Sequence, residues 1–496
     1  MLPIIPIFSV LAGYFLVYKL SLRIYRVYFH PLKHFRGPAQ ACVSDNWLYE
    51  VSKGGKAEDV FEKLHKDHNT KALRIGPNEL HLTDVDLYKT IYSQTSPFSK
   101  DADFYDAFNT PHTAFAETDP ARHKERRRLL NPTVSRSAVL RLEGVIREKL
   151  FMLANKIDPV SDTRPIEGYS AFRLLTTDII MQFAFGRTTG MLDGKSENFS
   201  SSYLEAFENA FEAIAEFRYR PWLRHLSNAV PKSLIALLNP TIEALMELRQ
   251  YGADSLEEYK KKHTPPPHPV IFDALSSIPD DQKVAQAMDI LIAGADTTAS
   301  TLTAGLYHIL KNPQVKADLV RALDAALPPE KDSQLPSLVA LEKVEYLTAC
   351  VKESLRLAMT IPGRLPRVVP ENLSPPLMVD RQVIPAGTTV SISVHTMHYN
   401  TEIWGSDARA FNPGRWLGPN KKELETYFVP FSRGARMCLG QNLALAEITM
   451  TLGFLFLNYE VGLVDKEAVP GSVDRFTVHF TEPGVLVEMA RRGGVV

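Results

Sequence analysis

FSRGARMCLG, residues Phe431 to Gly440, holds one of only three cysteines in the chain, with glycines four residues before it and two after. The other thiols, Cys42 and Cys350, lie too far along the chain to make a CxxC metal pair with it, and three cysteines form no disulfide framework. A reducing compartment follows. Cys350 lies inside the apolar run YLTACVKESLRL and reads as a small buried hydrophobe, and Cys42 has no partner residues beside it. Only Cys438 asks for a chemical reason.

The chain has 496 residues, 45% hydrophobic and 23% charged, the composition of a globular protein with a large core. A formal net charge of -1 provides no global field for nucleic acid or for acidic substrates. Leu2 to Tyr18 carries no charge, and Lys19, Arg23, Arg26, Lys33 and Arg36 follow before the first acid, Asp45. At about 1.5 Å per residue the apolar run covers roughly 25 Å, slightly less than the hydrocarbon layer. Basic residues after the run, rather than before it, argue against a cleaved signal and put the rest of the chain on the cytosolic side. The expected organisation is a membrane anchor over 1–20, a basic, proline-containing hinge over 21–45 and a catalytic domain over 46–496.

From Asn46 to Leu310 most segments show helical periodicity, broken most clearly by the linker KKKHTPPPHP, Lys260 to Pro269. Strand-like alternation is confined to Leu73–Thr83 and to Leu377–Val394, where a PAG turn suggests a hairpin. Helices and strands are segregated, so the expected class is mainly α within α+β. Lys283 to Lys311 predicts one long helix with unfavourable residues at its centre: Gly294, Asp296, Thr297, Thr298, Ser300, Thr301 and Thr303. Small residues there suit close helix crossing. They equally suit a dent for a small molecule and a water beside an acid and an alcohol, and both readings expect a distorted helix centre.

Glu353 and Arg356 share one helix face among Leu347, Val351, Leu355 and Leu357, which points to a buried pair, and FNPGRW, Phe411 to Trp416, offers Arg415 as a third member. PGRLPRVVP and DPARHKERRRLLNP set arginines beside apolar residues, as a buried dianion would require.

Four separated motifs now agree, and the sequence resembles the cytochrome P450 family of haem-thiolate monooxygenases. Phe431, Gly434, Arg436, Cys438 and Gly440 match its FxxGxRxCxG signature; AGADTT, Ala293 to Thr298, matches its oxygen-binding helix; Glu353 and Arg356 match ExxR; FNPGRW matches FxPxRW. The resemblance covers essentially the whole chain after the N-terminal run, and its wording looks like fungal, membrane-anchored members that tailor secondary metabolites. It implies the P450 fold with haem b held by the Cys438 thiolate. It implies that Arg436, Arg367 and Arg127 contact the propionates, with His123 where many relatives carry tryptophan, and that Phe431 shields the sulfur. By the same resemblance Glu353, Arg356 and Arg415 form a structural triad, and Asp296 and Thr297 relay protons for dioxygen cleavage. Substrate contacts are expected from Phe104, Phe108, Phe115, Phe207, Phe211, Ile214, Ala293, Thr297, Ile361, Pro362 and Val478, a lining suited to a lipophilic molecule such as a terpenoid or polyketide. The Phe207 stripe reads equally as plain core.

No GxGxxG fingerprint or flavin domain is present in this sequence, so electrons are expected from a separate NADPH-dependent reductase that carries the flavins, with cytochrome b5 as an accessory donor. Docking is expected on the Cys438 face through Lys124, Arg126, Arg128 and Arg433, with the protein a single-pass monomer in the endoplasmic reticulum membrane. A peroxide-driven isomerase or peroxygenase, disfavoured by Asp296 and Thr297, and a non-catalytic haem carrier stay open as alternatives.

Overall fold

Asp280–Lys311 is one uninterrupted α-helix of 32 residues, flanked by the helices Gly168–Phe185, Pro240–Lys261, Glu345–Ala358 and Gln441–Asn458. This comes from a computed structural model, which describes residues 4–161, 163–193, 199, 204, 213–230, 240–261, 268, 270–327 and 335–492. The central helix starts on Asp280 and Asp281 and ends on Lys311, charges that suit its dipole. The helix runs through its unfavourable centre without a break. Its threonine hydroxyls bond back within the helix, Thr297 Oγ1 to the Ala293 carbonyl at 2.7 Å and Thr301 Oγ1 to that of Thr297 at 2.9 Å. Gly294 serves helix crossing instead: a Cβ there would meet Ile180 Cγ1 of the helix Gly168–Phe185 at 2.5 Å.

That crossing helix is buried along most of its length. Glu167 caps its start by accepting the N–H groups of Tyr169 and Ser170, and Gly186, at φ 64°, ends it. Leu302, Leu306, Leu347, Leu355 and Phe454 belong to one large core shared by these helices, and a smaller core of Leu80, Tyr92, Val390 and Ile392 lies under the sheet.

The main sheet has five strands in the order Ala72–Gly76, Glu79–Leu82, Thr389–Ser391, Arg367–Val368, Ser99–Lys100. Only the pairing of Glu79–Leu82 with Thr389–Ser391 is parallel. Leu73–Thr83, read as strand-like, folds as a hairpin of Ala72–Gly76 with Glu79–Leu82, whereas Leu377–Val394, expected as a hairpin, does not form a single one. Met378–Val379 pairs with Gln382–Val383 across Asp380 and Arg381, both at positive φ, 51° and 63°, as a tight two-residue turn demands. The PAG segment then redirects the chain, with Gly387 at φ 77° donating to the Val369 carbonyl, and the next strand joins the main sheet.

The transmembrane expectation over 1–20 is corrected: among the described residues no helix is long and apolar enough to cross a membrane. A helix does form over Ile4–Tyr28, but Lys19, Arg23 and Arg26 fall within it and cut its apolar stretch short. Most of the Lys260–Pro269 linker, like Phe207 and Phe211, lies outside the described residues.

Adding one methyl at the helix crossing tests this geometry. Gly294→Ala should lower stability by about 1–3 kcal/mol through overpacking. Ile180→Ala in the same chain should restore part of the loss of thermal unfolding temperature if the Ile180 contact is its cause.

Candidate active site

The cysteine loop is shaped by its own backbone. The Cys438 N–H donates to the Phe431 carbonyl at 2.8 Å, and Ser432 and Gly434 turn the chain at φ 56° and 71°. A Cβ on Gly434 would stand 2.3 Å from the Ser93 carbonyl oxygen and 2.4 Å from that of Tyr92, backbone atoms that cannot step aside, so both conformation and space require glycine. Gly440 has an ordinary φ of -83° and nothing within 4 Å of where a side chain would begin. Cys438 lies deep in the fold, yet its own surface is uncovered, so the thiol borders open space inside the protein. Burial pushes its pKa up, while the N–H groups of Gly440 and Gln441, at the start of the helix Gln441–Asn458, and the Arg127 guanidinium pull it down.

Behind the loop stands a fully buried carboxylate. Glu353 accepts from Arg356 Nε at 2.9 Å and Nη2 at 2.8 Å, from Arg415 Nε at 3.0 Å, from Trp416 Nε1 at 2.9 Å and from the Asn412 N–H at 2.9 Å. Arg356 also donates to the carbonyls of His398, Ala408 and Ala410. His398 completes the connection: its Nδ1 lies 2.9 Å from the Arg356 carbonyl, and its Nε2 accepts the Val429 N–H at 3.0 Å, two residues before Phe431. This assigns the proton to Nδ1, because a backbone N–H already occupies Nε2. Burial, then Arg356, brings the His398 pKa down to about 3.

Four basic side chains gather around His123. Lys100 and Arg367, 6% and 4% exposed, are direct partners across antiparallel strands, where like charges repel. Arg436 donates to the Glu117 and Thr118 carbonyls, Arg127 to the Met437 carbonyl, and Arg367 to Tyr105 Oη at 2.9 Å. Lys100 donates to the Phe115 carbonyl and lies 4.0 Å from the Tyr105 ring centre. Among the described residues no carboxylate is ion-paired with any of the four. Burial, followed by Arg367 and Arg436, holds Lys100 well below the usual lysine range, and burial and Arg436 lead the causes that take His123 down to about 3. Arg436 itself falls to about 10, through burial and Arg367. So much uncompensated buried positive charge is costly, and a dianion beside a free thiol would relieve it. The donor set therefore fits a haem with two propionates.

Asp296 and Thr297 are split by helical geometry, since adjacent residues point about 100° apart. Ala293 is exposed and Thr297 partly so, whereas Asp296 is buried and accepts from Arg173 Nε at 2.8 Å. Phe104, Phe108 and Phe115 meet as expected and are joined by Phe476, whose ring centre lies 4.8 Å from that of Phe108. Val478 donates its N–H to the Thr360 carbonyl at 3.0 Å and accepts Ser300 Oγ at 2.6 Å, which brings Ile361, Pro362 and the central helix together. Ile214 is buried in the main core. Arg126 does not face a partner: it turns inward and donates to Gln282 at 2.6 Å, because His123, Arg126 and Leu130 form the inner face of the helix Pro120–Leu130. Lys124 and Arg128 are exposed.

Sequence reading missed Lys100, Arg173, Phe476 and His479. Phe476 was within reach, two residues from Val478. The others carry no local signal, since each is placed by a strand or helix distant in the chain.

Residues 46–489 match the family profile described as Cytochrome P450. The chain belongs to the cytochrome P450 family. This P450 is 31% identical to the cytochrome P450 monooxygenase macH of Penicillium terrestre, over 94% of each chain. It is 29% identical to the N-acetyltryptophan 6-hydroxylase ivoC of Emericella nidulans over 98% of each, and 31% identical to the tryptophan 6-hydroxylase fscE of Fusarium equiseti over 94% of this chain and 92% of that one. Family and relatives make it an oxygen-incorporating oxidoreductase that uses haem with a cysteine thiolate ligand.

The neutral His398 makes stability sensitive to acid. Unfolded, its imidazole takes a proton near pH 6.5; folded, it refuses one until about pH 3, so stability is lost as pH falls through that window. Chemical denaturation midpoints should fall between about pH 7 and pH 4, and His398→Gln, though less stable at pH 7, should show a shallower decline.

Proposed function

We propose that this P450 inserts one oxygen atom from O2 into a lipophilic fungal secondary metabolite, a terpenoid or polyketide, with electrons from a separate NADPH-dependent reductase. The observation that carries the reading is the apolar wall of Phe104, Phe108, Phe115 and Phe476 beside the cysteine loop, which favours a hydrophobic guest. Relatives named as tryptophan hydroxylases extend the candidate class to indoles.

In this reading Cys438 ligates the iron, Phe431 shields the sulfur, and Arg436, Arg367, Arg127, His123 and Lys100 hold the propionates. The haem supplies a redox-active iron whose thiolate ligand favours O–O cleavage. Thr297 orients a water at the open face of the central helix. Asp296, kept from bulk solvent, resupplies its proton, and this pair favours monooxygenation over peroxide isomerisation. Lys124, Arg128 and Arg433 form the reductase-facing surface, where added salt weakens docking. Cytochrome b5 acts as accessory donor. The protein works as a monomer on the cytosolic face of the endoplasmic reticulum, held there by the exposed apolar residues Leu11, Phe15, Leu16 and Val17.

Two measurements test this. Co-expression with a reductase and metabolite extracts, followed by untargeted product analysis, should show a product heavier by one oxygen, labelled from 18O2; turnover with hydrogen peroxide but none with NADPH and reductase would sink the reading. The reduced, carbon monoxide-bound protein should show the red-shifted band of thiolate ligation, lost in Cys438→Ala and kept in Thr297→Ala. Thr297→Ala should divert NADPH electrons to peroxide, with product per NADPH down by about tenfold or more. Lys100→Met should speed haem loss to an apomyoglobin acceptor, and an unchanged rate would remove Lys100 from the cradle.

A further inference from the structure

The two carboxylate oxygens of buried Asp296 are treated unequally. Oδ1 accepts the 2.8 Å bond from Arg173 Nε, whereas Oδ2, also buried, accepts no hydrogen bond. His479 Nε2 stands 3.8 Å from Oδ2. The imidazole is 5% exposed, with Nε2 2.9 Å from Thr477 Oγ1 and Nδ1 3.5 Å from Tyr169 Oη. Both of these neighbours are hydroxyls able to donate or accept. The strand bearing His479, Val478–Thr481, is fastened to the central helix one turn beyond Asp296 by the Ser300–Val478 bond. Among the described residues, the titratable and charged groups on this side of the ring include Asp296 from the central helix and Tyr169 and Arg173 from the crossing helix, with Thr477 beside it on its own hairpin.

We propose that His479 is a positioning residue that recharges Asp296 with protons, an inference resting on the reading of Asp296 as proton carrier. Arg173 holds one oxygen, which leaves the other to receive the proton. A shift of about 1 Å brings His479 Nε2 within hydrogen-bond range of Oδ2. The imidazolium passes its Nε2 proton to Oδ2, giving a neutral ring and a neutral acid. The ring keeps its Nδ1 proton throughout and takes the replacement at Nε2 from solvent, relayed by the Thr477 hydroxyl 2.9 Å away. The transfer is drawn forward as Asp296 yields its proton to the pocket.

The test uses the full-length haem protein with its reductase. His479→Gln keeps a hydrogen-bonding side chain that does not titrate. In the parent, product formed per NADPH should rise as pH falls from about 8 to about 6; in His479→Gln it should be several-fold lower and flat across that range. Identical profiles, with the thiolate carbon monoxide spectrum intact in both, overturn the proposal. Independently of turnover, imidazole hydrogen–deuterium exchange followed by mass spectrometry reads the His479 pKa in the unaltered ring. Asp296→Asn should lower that pKa by about a unit, and an unchanged value overturns the proposal even if His479→Gln fails to hold haem. If the pKa shifts while Thr297→Ala stays tightly coupled, the His479–Asp296 pairing stands and the proton-carrier reading of Asp296 is what fails.

Discussion

A single carboxylate, Glu353, holds three parts of the chain in register. Its two oxygens receive five donors, from its own helix through Arg356 and from the Asn412–Trp416 segment through a backbone N–H, a guanidinium and an indole. A buried charge so fully satisfied is tolerable, whereas removing one partner would leave the others uncompensated at a cost of about 3–5 kcal/mol. The Arg356 carbonyl then fixes His398, which in turn fixes Val429 at the entrance to the cysteine loop. The position of Cys438 thus depends on a carboxylate that touches no part of the proposed chemistry.

The proposed cofactor cradle follows the opposite electrostatic logic. The Glu353 network is internally neutralised and closed, while Lys100, Arg127, Arg367 and Arg436 are gathered with no carboxylate ion-paired to them among the described residues. Strand pairing forces Lys100 against Arg367, an arrangement that repels itself unless an anion lies between. Side by side, the two clusters separate what a fold needs to stand from what it holds ready for a ligand. Asp296 falls between these cases, with one oxygen satisfied and one not.

Where the sequence misled, the reason is geometric. Gly294 and the threonines of the central helix are poor helix formers, yet the helix runs on unbroken, because the hydroxyls bond within it and the glycine admits Ile180. Propensity is a local quantity, and a close helix neighbour overrode it. The Leu377–Val394 hairpin failed because its second half found a longer partner in the main sheet. Arg126 read as surface charge until helical phase turned it toward Gln282.

The spacing of residues along the chain was enough for the Cys438 loop, the Glu353–Arg356 pair with Arg415, the central helix and the helix-dominant class, because each depends on contacts between residues close in sequence or on a motif of fixed spacing. Folding alone settled that Lys100 joins the arginines, that Phe476 closes the aromatic wall, and that Arg173 and His479 flank Asp296. These side chains come from segments far apart in sequence, and a charge or ring that is ordinary in isolation acquires its meaning only when another element brings a partner within a few ångströms.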